Sequence, residues 1–453
     1  MRRLAAIATA AMTWILLQAS PAAAHGVGQR LDLPVPIWLF VYGAAAVVVV
    51  SFVALGILWK EPKLEGGRPG RPLPFQGMFR SRAVEGVLRT LSVIVFLVVF
   101  SSAAGGRDIV ALNLAPYIVY IWFWVGMAFA HALFGNWWAT MSPWDSIARF
   151  LGIGERPRRT YPIGWGVWPA AILLFGFVWL ELVFPSRANP RVIAVAMAVY
   201  TVVTLGGMAV FGRDTWNRRG EAFAVYLRLL SLIAPFARDE ERRAVIRPPL
   251  AGLPTLEPRP GLVALVMVVI GSTIFDGFSS TTFWTDSVAG LGVAARAVTE
   301  SSALLAAIVV ASGAYALSML AASAISGVPW HPLSVRFVHS LVPIAFAYVT
   351  AHYFSLLFLD GQIVIGLASD PFGLGWNLFG TATYEPNLLL LSAFAIWYVQ
   401  VAAIVLGHVA GVLVAHDRAL AAFPGRMAVR TQYALLGVMV LFTMGGLLVL
   451  SAG

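Results

Sequence analysis

The sequence predicts an all-α membrane protein with about ten transmembrane helices behind a cleaved signal peptide, plus an interfacial helix on the cytoplasmic side. Three observations carry that prediction. Of the 453 residues, 59% are hydrophobic and only 11% charged, with mean hydropathy +0.82, far outside the range of soluble domains. Apolar runs long enough to cross a bilayer, about 20 residues each, recur along the chain. Lysines and arginines gather in alternate connections between those runs, as they do in cytoplasmic loops.

Residues 1–24, MRRLAAIATAAMTWILLQASPAAA, combine a basic start at Arg2 and Arg3, an apolar stretch and a small-residue close at Ala22, Ala23 and Ala24. That is a secretory signal with its cleavage site, and its removal makes His25 the first residue of one polytopic domain, 25–453. The expected spans are 37–59, 86–104, 113–135, 164–184, 190–211, 261–278, 300–322, 337–359, 387–415 and 430–452. With His25 outside, the odd-numbered connections fall inside. They hold Lys60, Lys63, Arg68 and Arg71, then Arg149, Arg156, Arg158 and Arg159, then a run from Arg213 to Arg259. Both mature ends are therefore expected outside the inner (cytoplasmic) membrane. The net charge of +10 reads as a topology signal, not as a nucleic-acid footprint.

The longest inside loop, 212–260, opens with FGRDTWNRRGEAFAVYLRLLSLIAPF. Trp216, Phe223, Tyr226, Leu227, Leu230 and Ile233 recur there at three- and four-residue spacing among Arg218, Arg219 and Glu221. That pattern fits a helix lying on the inner leaflet. The proline-rich stretch RRAVIRPPLAGLPTLEPRPG then ends it.

Polar side chains inside spans are costly and mark pathways or chemistry. Helical rise puts His352 about 22 Å above the cytoplasmic end of its span, in the outer half. Gln400, Glu181, Asp276 and Glu300 fall in the outer half or at its boundary, and Asp360 caps that face. In a closed bundle, His352 and Asp276 become metal ligands, with Asp276, Glu300 and Asp360 as the catalytic carboxylates. One imidazole among carboxylates suits a divalent metal ion. The plainer alternative makes Asp276 a buried acid bonded to Ser279 or Ser280, and leaves Glu300 and Asp360 solvated at helix ends.

An inner group holds His131, His339, His408 and His416. His339 and His408, on adjacent spans, are placed to meet as metal ligands or as a proton relay; the alternative is ordinary hydrogen bonding within each helix. His416, followed by Asp417 and Arg418, reads as a solvated helix end. His339 and His352 are about 20 Å apart along a straight helix, so they require two sites. With no cysteine in the chain, thiolate metal sites and thiol nucleophiles are excluded. Walker-type, H-E-x-x-H and G-x-S-x-G motifs are absent as well.

Five stretches together carry a family likeness: AHGVGQRLDLPVPIWLFVYGAAAVVVVSFVALGILW, GNWWATMSPWDSIARFLG, WNRRGEAFAVYLRLLSLIAPF, VHSLVPIAFAYVTAHYFSLLF and GHVAGVLVAHDRAL. The chain resembles a family of bacterial polytopic membrane proteins labelled fenitrothion hydrolase, from His25 to about Arg418. The resemblance implies hydrolysis of a phosphotriester or phosphorothioate ester, with the phosphoryl charge most often stabilised by a metal pair. Two readings compete with it. One is a transporter for a small solute or metal ion, with His352, Gln400, His408 and His339 along a path and Pro343 freeing backbone groups. The other is a non-catalytic subunit of a larger membrane complex. Across these readings the partners are the lipid bilayer, a small ester or ion, and fellow subunits.

Overall fold

The computed structural model describes residues 36–452 except 65–69, 75, 80, 240 and 242, so the expected signal sequence and His25 lie outside the described residues. Among the described residues, ten helices are long and apolar enough to cross a membrane. In chain order they are α1 (Ile37–Leu58), α2 (Arg82–Gly105), α3 (Leu114–Phe134), α5 (Ile163–Leu182), α6 (Pro190–Phe211), α9 (Leu262–Ser279), α10 (Val293–Ser326), α11 (Trp330–Phe358), α12 (Ala393–Ala422) and α13 (Gly425–Ala452). Among the short helices between them are α4 (Pro143–Phe150), α7 (Arg213–Arg219) and α8 (Ala222–Ser231).

Contacts between connections sort the helix ends into two groups. At one end Asn189 donates to Asp108, Arg107 to the carbonyl of Gly373, and Tyr120 to the carbonyl of Arg187. At the other, Trp59 and Lys63 reach Asp417, while Arg89 and Arg213 reach Asp145. Alternate connections thus share an end, as ten successive crossings require. The second group carries most of the lysines and arginines and is called the basic end below.

The centre of the bundle is α9, with 67% of its apolar stretch buried against 11% for α2. On one side α9 packs against α10 and α11. The closest helix pair is α11 with α12, where small residues let the backbones approach. A Cβ on Gly407 would come within 2.1 Å of the Ala347 methyl, and one on Gly411 within 2.9 Å of the Ser340 carbonyl. Two spans are irregular. A π-helical segment, Ile118–Gly126, interrupts α3, and a 3-10 turn, Val338–Leu341, divides α11. Pro343 follows that turn, at the start of a new α-helical stretch where its missing N–H costs nothing.

The 211–236 segment, expected as one helix on the leaflet, forms two helices broken at Gly220. A Cβ on Gly220 would lie 2.4 Å from the Trp216 ring, so the chain turns there on glycine. Glu221 then caps α8, accepting from the backbone N–H groups of Phe223 and Ala224. Rather than lying on a surface, α8 is buried between α3 and α5: Phe223 packs on Phe123 and Phe177, and Tyr226 on Trp124. The sequence AFAVYLRLLS is apolar on nearly every side, which suits a fully enclosed helix better than a half-solvated one. Three short antiparallel strands close the basic end, β1 (Arg71–Pro72), β2 (Phe236–Arg238) and β3 (Ala244–Ile246), with β3 in the middle.

Candidate functional site

Asp276 sits one turn from the end of α9, facing consecutive residues of α11. His352 Nε2 lies 2.9 Å from Asp276 Oδ2, and the Tyr353 hydroxyl donates to the same oxygen at 2.6 Å. Neighbouring residues on a helix point roughly 100° apart, so the two rings approach the carboxylate from different sides. Tyr353 is buried beneath it, while the side chains of His352 and Asp276 are each 21% exposed. Gly277 lies in van der Waals range of the imidazole, where a Cβ would stand 3.9 Å from the His352 ring, and a Cβ there would be tight only against Val449, at 3.0 Å.

Two further polar groups on other helices lie within electrostatic range of this centre. Glu181, on α5, has one carboxylate oxygen buried without a hydrogen-bond partner among the described residues, and its charge acts on both Asp276 and Tyr353. The Tyr226 hydroxyl, on α8, is likewise buried and unpartnered, and lies within the field of Glu181. Four helices, α5, α8, α9 and α11, therefore converge on one polar centre.

Chemically, the carboxylate fixes the imidazole. A hydrogen on Nε2 pointing at Asp276 leaves the lone pair on Nδ1, which no hydrogen bond occupies among the described residues. Oδ1 of Asp276 is also without a hydrogen bond, because both donors go to Oδ2. A base held in this way, with its second nitrogen available, is suited to taking a proton from water or from a ligand.

The other expected site residues go elsewhere. Glu300 pairs with Arg296 on its own helix at 2.8 Å. Asp360 opens a short turn, Asp360–Gln362, and its charge acts on Tyr117. Neither joins Asp276, so the three carboxylates do not form one catalytic group. Ser279 and Ser280 donate to the backbone carbonyls of Asp276 and Gly277, which removes them as partners of the Asp276 side chain.

The inner pair is also separated. His339 Nε2 faces Arg418 at 3.4 Å, whereas His408 Nδ1 contacts the Ile404 carbonyl at 2.8 Å and its Nε2 is buried without a partner beside a small apolar cavity. His339 does face α12, but at Arg418, ten residues along that helix from His408, which is about 15 Å by helical rise. His131 is satisfied structurally: Nδ1 meets the Met127 carbonyl, and Nε2 accepts from the Trp138 N–H at 2.8 Å. His416 and Asp417 are each 1% exposed, not solvated at a helix end. Asp417 accepts from Trp59 Nε1 and from the backbone N–H groups of Lys63 and Leu64, and His416 lies between the Trp59 carbonyl and Gln432.

Among the described residues, no three of His, Asp and Glu gather as metal ligands. His352 Nε2 and Asp276 Oδ2 are moreover engaged with each other. This donor set does not fit the metal pair implied by the resemblance. The sequence reading named Asp276, His352 and Glu181 but missed Tyr353 and Tyr226; Tyr353 adjoins an intramembrane histidine, and that adjacency was the available signal. Comparison with family models, curated proteins and solved structures finds no match to this chain.

Proposed function

We propose that this multi-pass membrane protein hydrolyses an apolar phosphotriester or phosphorothioate ester, with His352 as general base and Asp276 as its orienting carboxylate. The observation that carries this reading is the 2.9 Å contact between His352 Nε2 and Asp276 Oδ2, which leaves Nδ1 to act. As a water oxygen bonds to phosphorus, its proton passes to Nδ1 and the phosphorus–oxygen bond to the leaving phenolate or alkoxide breaks. The imidazolium so formed is stabilised by Asp276. Tyr353, donating to the same carboxylate, holds it in place. An apolar ester concentrates in the bilayer, which suits a centre built among transmembrane helices.

The test is release of nitrophenolate from a chromogenic phosphorothioate triester by the purified protein in liposomes. His352→Gln is expected to lower turnover roughly 100-fold or more while the protein inserts normally. No turnover by the wild type would remove this reading. Proton-coupled transport of a small solute is the second reading, favoured by the unpartnered Glu181 oxygen beside Asp276, a natural resting place for a proton.

A further inference from the structure

At the basic end, below α5 and α6, a cavity of about 640 Å³ is lined by Arg158, Arg159, Arg218, Arg219 and Arg259, with Tyr161 at its wall. The frame of this pocket is fixed. The backbone N–H groups of Arg158 and Arg159 both donate to the Val210 carbonyl, the N–H of Arg213 donates to the Gly154 carbonyl, and Gly154 and Gly212 take positive φ where the chain passes the end of α6. Arg219 lies over the Tyr161 ring at 5.4 Å, and Arg259 Nη1 donates to the Arg218 carbonyl, so two of the cations are held in position.

Negative charge is scarce around them. Glu257 pairs with Arg259 at 2.5 Å but is itself largely exposed. The bond from Arg259, together with the charges of Arg259, Arg228 and Arg219, holds the Glu257 carboxyl below its ordinary range. Nearby Arg228 is weakened as a cation first by burial and then by the charges of Arg259 and Arg218. Neighbouring arginines thus contribute to both shifts, after the Arg259 hydrogen bond at Glu257 and after burial at Arg228. Arg158 and Arg159 are exposed to the pocket with no ion pair among the described residues. Ile163, on the rim, is 84% exposed and Trp165 is 47% exposed, both at the start of a membrane-crossing helix.

We propose that this pocket binds the phosphate group of an anionic phospholipid, its acyl chains passing Ile163 and Trp165 along the outside of the bundle. Guanidinium groups pair with phosphate oxygens through two parallel N–H donors, a geometry ammonium lacks. A basic pocket at the membrane boundary is the kind of place where lipid headgroups are held. The exposed apolar rim favours a lipid over free phosphate, and the site is independent of the ester-hydrolysis reading.

The test uses the full chain in detergent, titrated with phosphatidylglycerol, phosphatidylcholine or inorganic phosphate while thermal unfolding is followed. Phosphatidylglycerol is expected to raise the midpoint by several degrees, and the double variant Arg158→Gln/Arg159→Gln is expected to lose most of that shift while keeping its midpoint without lipid. An equal shift from phosphatidylcholine, or an undiminished shift in the variant, overturns the proposal. So does an equal shift from inorganic phosphate, which assigns the pocket to a soluble anion.

Discussion

Asp145 and Asp276 are both carboxylates enclosed by helices, yet their surroundings differ. At the basic end, Asp145 accepts from Arg89 at 2.7 Å and from Arg149 and Asn217 at 2.8 Å, with Arg213 a further 3.4 Å contact. Both of its oxygens are in use. Asp417 and Glu221 are treated in the same way, Glu221 accepting from Trp138, Tyr200, Phe223 and Ala224. Burial pushes the Glu221 carboxyl above the usual range, and those four donors pull it back toward ionisation. Among the described residues, Asp276 instead takes two donors on one oxygen and none on the other, with an imidazole nitrogen that makes no hydrogen bond beside it and the unpartnered Oε2 of Glu181 in the same region. Saturated carboxylates fasten helices together, whereas this unsaturated one keeps capacity for a ligand or a proton.

The difference can be broken from the structural side first. Asp145→Ala removes the shared partner of Arg89, Arg149 and Arg213, leaving Arg89 only Glu85 and the largely buried Arg213 only a distant Asp214, and removing one partner of a buried ion pair costs roughly 3–5 kcal/mol. The expected outcome is a large fall in the unfolding midpoint of the purified protein, or failure to accumulate in the membrane. An unchanged midpoint would mean that this network fastens nothing.

A smaller effect is expected at the other site. Tyr353→Phe removes one donor to Asp276 and keeps the ring that packs beside His352. One hydrogen bond to a charged group is worth about 1.5 kcal/mol, so kcat of the ester hydrolysis should fall about tenfold with KM unchanged. A rise in KM at constant kcat would instead make Tyr353 part of substrate binding.

Much of this architecture could be read in the sequence, because a bilayer imposes length and apolarity on every span; the ten expected spans correspond to the ten long apolar helices. Depth arithmetic also brought Asp276 and His352 to the same level, since helical rise is nearly constant. It carried no information about which face each side chain takes. That is why Glu300 and Asp360 were grouped with Asp276; His339 was paired with His408 because that span was expected to end at 415, whereas α12 runs to Ala422 and His339 meets Arg418. The burial of α8 was missed because the arginines just before AFAVYLRLLS, Arg218 and Arg219, were read together with it as the polar face of one surface helix, although the stretch itself is apolar on nearly every side. Strands of two or three residues, such as β1 to β3, are too short to leave a periodic signal.

The central claim is that Asp276 works while Asp145 holds, and Asp276→Asn tests it most directly with two readings on one sample. Amide for carboxylate keeps the shape but no longer stabilises an imidazolium at His352. The expected result is an unfolding midpoint within about 2 °C of the wild type and ester turnover reduced roughly 100-fold. Full turnover in that variant, or loss of turnover only in step with loss of folding, would contradict the account.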